Sequence, residues 1–204
     1  MINTTTKWKI AGIALLTLLQ SGCSVMPSPQ KVENYSLPAG TQTTHCSVLK
    51  FNGSLQVEKP YANQFLNSSR IAVRTENNIL TVYKGARWND TAPVILRDRL
   101  IQALQRSACL KTVSSGELNL NADIKLDGEL YAFQGEYQAG NKNVRIHYVA
   151  YLINAQTQQV IASQDFNILE PINGGGMNGA ITAFGKAADR LSDELTRWVN
   201  EQKL

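Results

Sequence analysis

Three consecutive segments between Leu118 and Phe166 alternate apolar and polar residues, and this constrains the fold more than any other feature of the chain. Leu118, Leu120, Ala122, Ile124 and Leu126 lie on one face of the first, with Asn119, Asn121 and Lys125 on the other. A period of two gives a strand with one wet side and one buried side. A loop near Gly135 to Lys142 reverses the chain into Val144, Ile146, Tyr148, Ala150 and Leu152. The Asn154-Ala155-Gln156 turn then leads to Val160, Ala162 and Phe166. The three segments predict an antiparallel meander, which needs an apolar layer over its dry face.

Two helices supply that layer. Asn89 or Asp90 can cap a helix running to about Ser107, with Ile95, Leu96, Leu100, Ile101 and Leu104 on one face. Arg97, Arg99 and Arg106 lie mostly outside that stripe and read as solvated surface. Met177 to about Asn200 is the second helix, with Ile181, Phe184, Ala188, Leu191, Leu195, Trp198 and Val199 on one side. Its polar side mixes Lys186, Asp189, Arg190, Asp193, Glu194 and Arg197 and lacks the cationic excess of a membrane-surface helix, so it should pack on the sheet. Upstream, Val48 to Val57 is strand-like, and Ile71 to Tyr83 reads as a hairpin turning at Glu76-Asn77-Asn78. The expected fold is α+β, a single two-layer domain with a largely antiparallel sheet packed against two long helices.

The first residues carry an address. Lys7 and Lys9 precede an uncharged apolar run, Ile10 to Leu19. That run is about half the roughly 20 residues of a membrane-spanning helix, and its length suits the core of an export signal. Ser21 and Gly22 then precede Cys23, the pattern of a bacterial lipobox, although Gln20 stands where Leu is commonest. Residues 1–22 read as a lipoprotein signal peptide, with a diacylglycerol on the Cys23 sulfur. Residues 23–46, with Pro27, Pro29, Pro38 and Gly40, read as a lipid-anchored flexible linker, and 47–204 as the folded domain. Ser24 stands where Asp would signal retention in the inner membrane, which points to the outer membrane of a Gram-negative envelope.

The formal net charge of +4 includes Lys7 and Lys9 of the signal. What remains is too small to suggest nucleic acid as a partner. Beyond Cys23 stand Cys46 and Cys109. In an oxidising compartment they form either a disulfide, worth roughly 4 kcal/mol for a loop of that length, or two buried reduced thiols. His45 and His147 have no Cys or carboxylate at metal-ligand spacing, so no metal site is expected. The sequence contains no Gly-x-Ser-x-Gly, HExxH or P-loop. Asp123, Asp127 and Glu129 lie along a polar strand face, and Gly174-Gly175-Gly176 reads as a strand-to-helix connection rather than an anion cradle. No enzyme and no cofactor beyond the acyl anchor are expected.

Taken in order, the lipobox, Tyr35-Ser36-Leu37-Pro38, Pro60-Tyr61, Arg70-Ile71-Ala72-Val73-Arg74, Tyr83, Arg87-Trp88, Tyr148-Val149-Ala150-Tyr151-Leu152 and the Ala-rich last helix resemble the ABC-type transport auxiliary lipoproteins, the PqiC-like family. Asn89-Asp90 departs from the Ala-Glu-Pro-like run usual after the Trp. The resemblance implies a lipoprotein anchored in the inner leaflet of the outer membrane with its domain facing the periplasm. Its partner would be an MCE-domain protein of a trans-envelope phospholipid transporter, which it would dock as an accessory, in a homo-oligomeric ring or singly. The alternative reading is a stand-alone periplasmic lipoprotein that binds a ligand or cell-wall component. Trp88 corresponds to the family's recurring Trp and is either a docking anchor or a plug between the first helix and the sheet.

Overall fold

The computed structural model describes residues 31–41, 44–118 and 120–202. Its spine is β7 (Ile124–Gln138), paired antiparallel along its whole length with β8 (Asn141–Asn154), which pairs in turn with β9 (Val160–Pro171). Along the opposite edge of β7 three short strands run parallel to it in succession: β2 (Phe51–Val57), β3 (Tyr61–Ala62) and β4 (Arg70–Arg74). β5 (Leu80–Trp88) pairs antiparallel with β4, β1 (Glu33–Tyr35) parallel with β5, and β6 (Leu110–Ser115) parallel with β2. The helices are α1 (Ala92–Ser107) and α2 (Gly176–Glu201). The class is α+β, as the residue patterns require. The sheet, however, is mixed, because five of the pairings among the described residues are parallel.

The alternation that predicts β7 begins later than the sequence pattern suggests. Leu118 closes a short 3-10 turn, Gly116–Leu118, and Leu120 belongs to no strand. Both are more than half exposed, so the apolar period there reflects no buried face. The inward set is Ile124, Leu126 and Leu130, and after a bulge at Tyr131 the parity shifts so that Phe133 points to the core. Gly128 occupies an inward position because a Cβ there would come within 2.6 Å of the Tyr148 ring. Tyr148 itself is fully buried, and its hydroxyl donates to the Asp127 carbonyl oxygen at 3.1 Å.

Both helices cover that inward face. Leu96, Leu100 and Leu104 of α1 and Phe184, Leu191 and Leu195 of α2 are fully buried against Leu126, Phe133, Ile146 and Tyr148. Each such side chain stabilises the fold by about 1.5–3 kcal/mol. Thr91 is the N-cap of α1, one residue beyond the expected Asp90, whose carboxylate accepts from the Thr91 N–H at 2.6 Å. Pro93 fits the first turn, where its missing N–H costs nothing.

Two expectations are corrected here. Arg97 and Arg99 are not solvated: each is 5 % exposed. Arg97 donates to Asp98 (2.8 and 3.0 Å) and to Glu117 (2.5 Å), and Arg99 to Asp189 of α2 (2.5 Å) and to the Pro38 carbonyl. The adjacent Asp98 and Glu117 after β6 neutralise Arg97, and Asp189 from the other helix neutralises Arg99, which helix periodicity alone does not show. The segment 23–46 is likewise not all linker, because its described residues from Glu33 onward, 33–41 and 44–46, are part of the fold. After β1, Leu37 packs on the core, and the Thr41 N–H and hydroxyl donate to Asp189 at 3.0 and 2.8 Å. Thr44 repeats the arrangement with Asp193 at 3.2 and 3.0 Å, and the Cys46 N–H donates to the Ser107 carbonyl at 2.9 Å. Beyond Leu37 this strap is held largely by polar bonds to α2, and so it lacks a strand or helix period.

Candidate docking surface

The sheet face turned away from the helices is assembled from the polar positions of β7, β8 and β9. One rung runs Tyr61, Glu129, Val149, Asp165 across four strands, and the next runs Asp127, Tyr151, Ser163. Tyr61 is 74 % exposed and Tyr131, at the bulge, 51 %. The Tyr131 ring lies 5.2 Å from that of His147, and His147 Nε2 lies 2.9 Å from Asp165 Oδ1. The Tyr131 hydroxyl donates to Glu129, and this bond, followed by partial desolvation, raises the phenol above its ordinary range and keeps it protonated. At the far end of the face Glu136, 9 % exposed, accepts from Arg145 (2.9 Å) and Gln134 (3.1 Å) and faces Arg74 at 4.0 Å.

The result is a platform of exposed aromatic rings between charges that are already paired. Tyrosine-rich surfaces of this kind suit protein contacts, since a ring adds area at low entropic cost and a paired charge costs less to cover. The His147–Asp165–Tyr131 cluster escapes sequence analysis because its members sit on three strands, 16 to 34 positions apart. The imidazole is engaged by Asp165 and by the Tyr131 ring.

The other residues singled out from the sequence fall elsewhere. Cys23 and Ser24 lie outside the described residues. Cys46 and Cys109 are disulfide-bonded, with Cα atoms 5.0 Å apart, and the bridge ties the end of the strap to the residues after α1. Trp88 is 2 % exposed and lies edge-on to Phe133 (5.8 Å) and Phe184 (5.0 Å), so its ring is in the core. Gly174 and Gly176 adopt φ of +89° and +67°, left-handed conformations that favour glycine, at the connection into α2. His45 is exposed on the strap. Among the described residues no group of His, Cys, Asp or Glu is arranged to hold a metal, and no helix is long and apolar enough to cross a membrane.

The three carboxylates of the polar strand do not converge. Glu129 bonds Tyr131, Asp127 accepts from the Gly128 N–H at 2.7 Å, and Asp123 Oδ2 accepts from the Ser54 N–H and hydroxyl, both at 2.8 Å. The Ser54 N–H, then its hydroxyl, hold the Asp123 carboxyl below its ordinary 3.8. A depressed folded pKa adds stability above the unfolded value, and that stability is lost as pH falls through the folded pKa. Asp123→Asn should therefore lower the urea midpoint at neutral pH and converge with the parent below pH 3.8. An unchanging gap between the two across that window would show that the clasp does not depend on ionisation.

Comparison with known proteins places this architecture. No curated protein matches the sequence. The crystal structure of protein XCC0632 from Xanthomonas campestris, of family DUF330, superposes with a TM-score of 0.74 at 26 % identity, covering 82 % of this chain and 94 % of that one. A crystal structure of an uncharacterised protein gives 0.66 at 16 % identity, with 83 % and 99 % covered. The hypothetical protein CT253 from Chlamydia trachomatis gives 0.53 at 11 % identity, with 74 % and 97 % covered. The latter two share the fold. The model of the ABC-type transport auxiliary lipoprotein component matches residues 35–196, beginning inside the strap and ending in α2. The chain belongs to the ABC-type transport auxiliary lipoprotein family.

Proposed function

We propose that the protein is a non-enzymatic accessory of an MCE-type phospholipid transporter, anchored by lipid on Cys23 in the outer membrane and docking its MCE-domain partner through the open sheet face. The observation that carries this reading is that face: exposed Tyr61 and Tyr131 beside the paired His147 and Asp165, opposite the helix layer. Family membership as a transport auxiliary component supports a transporter as the partner. The strap adds a geometric consequence. Ten positions separate Cys23 from Glu33 of β1, a length that spans at most about 35 Å, which keeps the domain close to the membrane.

Two experiments test the reading. Cys23→Ser should leave an unprocessed or soluble form that no longer partitions into detergent, and a mature wild-type N-terminus without acyl mass would end the anchor claim. A photo-crosslinking residue at position 131 in intact cells should yield an adduct with an MCE-domain protein, and one at the exposed Lys111 of β6 should not. Adducts only with a second copy of the chain would reassign the face to a ring contact. Adducts with neither would favour a stand-alone ligand-binding lipoprotein.

A further inference from the structure

Two arginines sit directly opposite one another where β4 meets β5. Arg70 and Arg87 are cross-strand partners, and both face away from the core because their neighbours Ile71 and Trp88 are buried. Like charges directly opposite in an antiparallel pair destabilise it. Among the described residues neither guanidinium has a carboxylate partner or any other polar contact, in contrast to Arg97, Arg99 and Arg145. The pair lines a groove of about 850 Å³ whose opposite wall is the loop at 63–69. No carboxylate lines this groove.

The loop is a built wall. Leu66 is buried in the core, the Leu66 N–H donates to Asn63 Oδ1 at 3.0 Å, and the Asn67 N–H donates to the Asn63 carbonyl at 2.9 Å. The Ser68 hydroxyl donates to the Phe65 carbonyl at 2.8 Å, and the Trp88 N–H donates to the Ser69 carbonyl at 2.8 Å, so the loop is tied to the strand that carries Arg87. The bond to Leu66 uses the oxygen of Asn63, which leaves its amide nitrogen as a donor. Half-buried Phe65 and Leu80 line the same groove and add apolar surface beside the two cations.

We propose that this groove binds a phosphate group carried by an amphiphile, with Arg70 and Arg87 sharing the anion and Phe65 and Leu80 contacting the attached apolar part. A bound phosphate converts the cross-strand repulsion into two charge-assisted bonds, which arginine's planar fork suits. The inference is separate from the docking reading: it concerns another part of the sheet and would stand if crosslinking found no MCE partner.

The test is calorimetric titration of the full mature protein in a phosphate-free, uncharged detergent, using inorganic phosphate and dihexanoyl phosphatidylglycerol as probes. Saturable binding of the lipid but not of phosphate supports the amphiphile, and equal binding of both would show that Phe65 and Leu80 add nothing and overturn the amphiphile in favour of free phosphate. Arg70→Gln and Arg87→Gln should each weaken binding about tenfold, and Lys111→Gln should leave it unchanged. The melting temperature of the ligand-free Arg70→Gln/Arg87→Gln protein should hold or rise as the repulsion is removed. Failure of both probes to bind, undiminished binding by the double variant, or a lowered melting temperature would overturn the proposal.

Discussion

Trp88→Ala is expected to destabilise the domain by about 3–5 kcal/mol, read as a drop in the urea midpoint with little change in slope. The indole ends β5 and packs edge-on against both Phe133 of β7 and Phe184 of α2, which are themselves stacked with centroids 5.1 Å apart. Removing it opens a cavity where sheet and C-terminal helix meet, and two rings lose an edge-to-face partner at once. Trp88→Phe should cost far less. Among the described residues the indole Nε1 has no hydrogen-bond partner, so the smaller ring gives up packing but no polar contact. Equal losses for the two variants would point to a polar role for Nε1. Unchanged stability of Trp88→Ala together with loss of the MCE adduct would place Trp88 in the docking surface.

Removal of the Cys46–Cys109 bridge is the second large effect expected. The bond spans 63 positions, and the chain-entropy account assigns roughly 4 kcal/mol to closing a loop of that size in the unfolded chain. Cys109 is fully buried, so Cys46→Ala/Cys109→Ala is the milder way to delete it. Besides the global loss, the bonds around the bridge should open more readily. The Cys46 N–H to Ser107 and Lys50 N–H to Cys109 bonds, at 2.9 and 2.8 Å, should exchange faster, whereas the meander should lose protection only through the global change. Thiol labelling of the unfolded, non-reduced parent should find neither cysteine free. Full labelling of both, with stability equal to that of the double variant, would reject the bridge.

Several features of the candidate surface were invisible to periodicity. His147 reads in sequence as a lone histidine, yet strand pairing sets it against Asp165, 18 positions on, and against Tyr131, 16 before. Tyr131 faces outward beside it in line with Asp127 and Glu129, and the bulge there, which turns Phe133 to the core, is announced by no residue pattern in that strand. Arg70 and Arg87 fall on the polar faces of a hairpin that the sequence does suggest, but their direct opposition follows from the observed register.

The sequence by itself determined the two helices, the β4–β5 hairpin and the β8–β9 pair, because each is a local pattern: apolar residues at 3.6 or 2, a turn of Asn or Gly, and a buried face that follows from the spacing. It left Cys46 and Cys109 open between a disulfide and two reduced thiols, and the structure joins them. Only the tertiary structure decided that β2, β3 and β4 run parallel to β7, that Arg97 and Arg99 are buried, and that residues 33–41 and 44–46 are held on the fold as a strap. For the strap and for Arg99 the deciding partner lies far along the chain: Asp189 is 148 positions from Thr41 and 90 from Arg99. Local spacing specifies which way a side chain faces, but the carboxylate that makes burial of a guanidinium tolerable, or that holds an aperiodic segment in place, is specified only by how the elements pack.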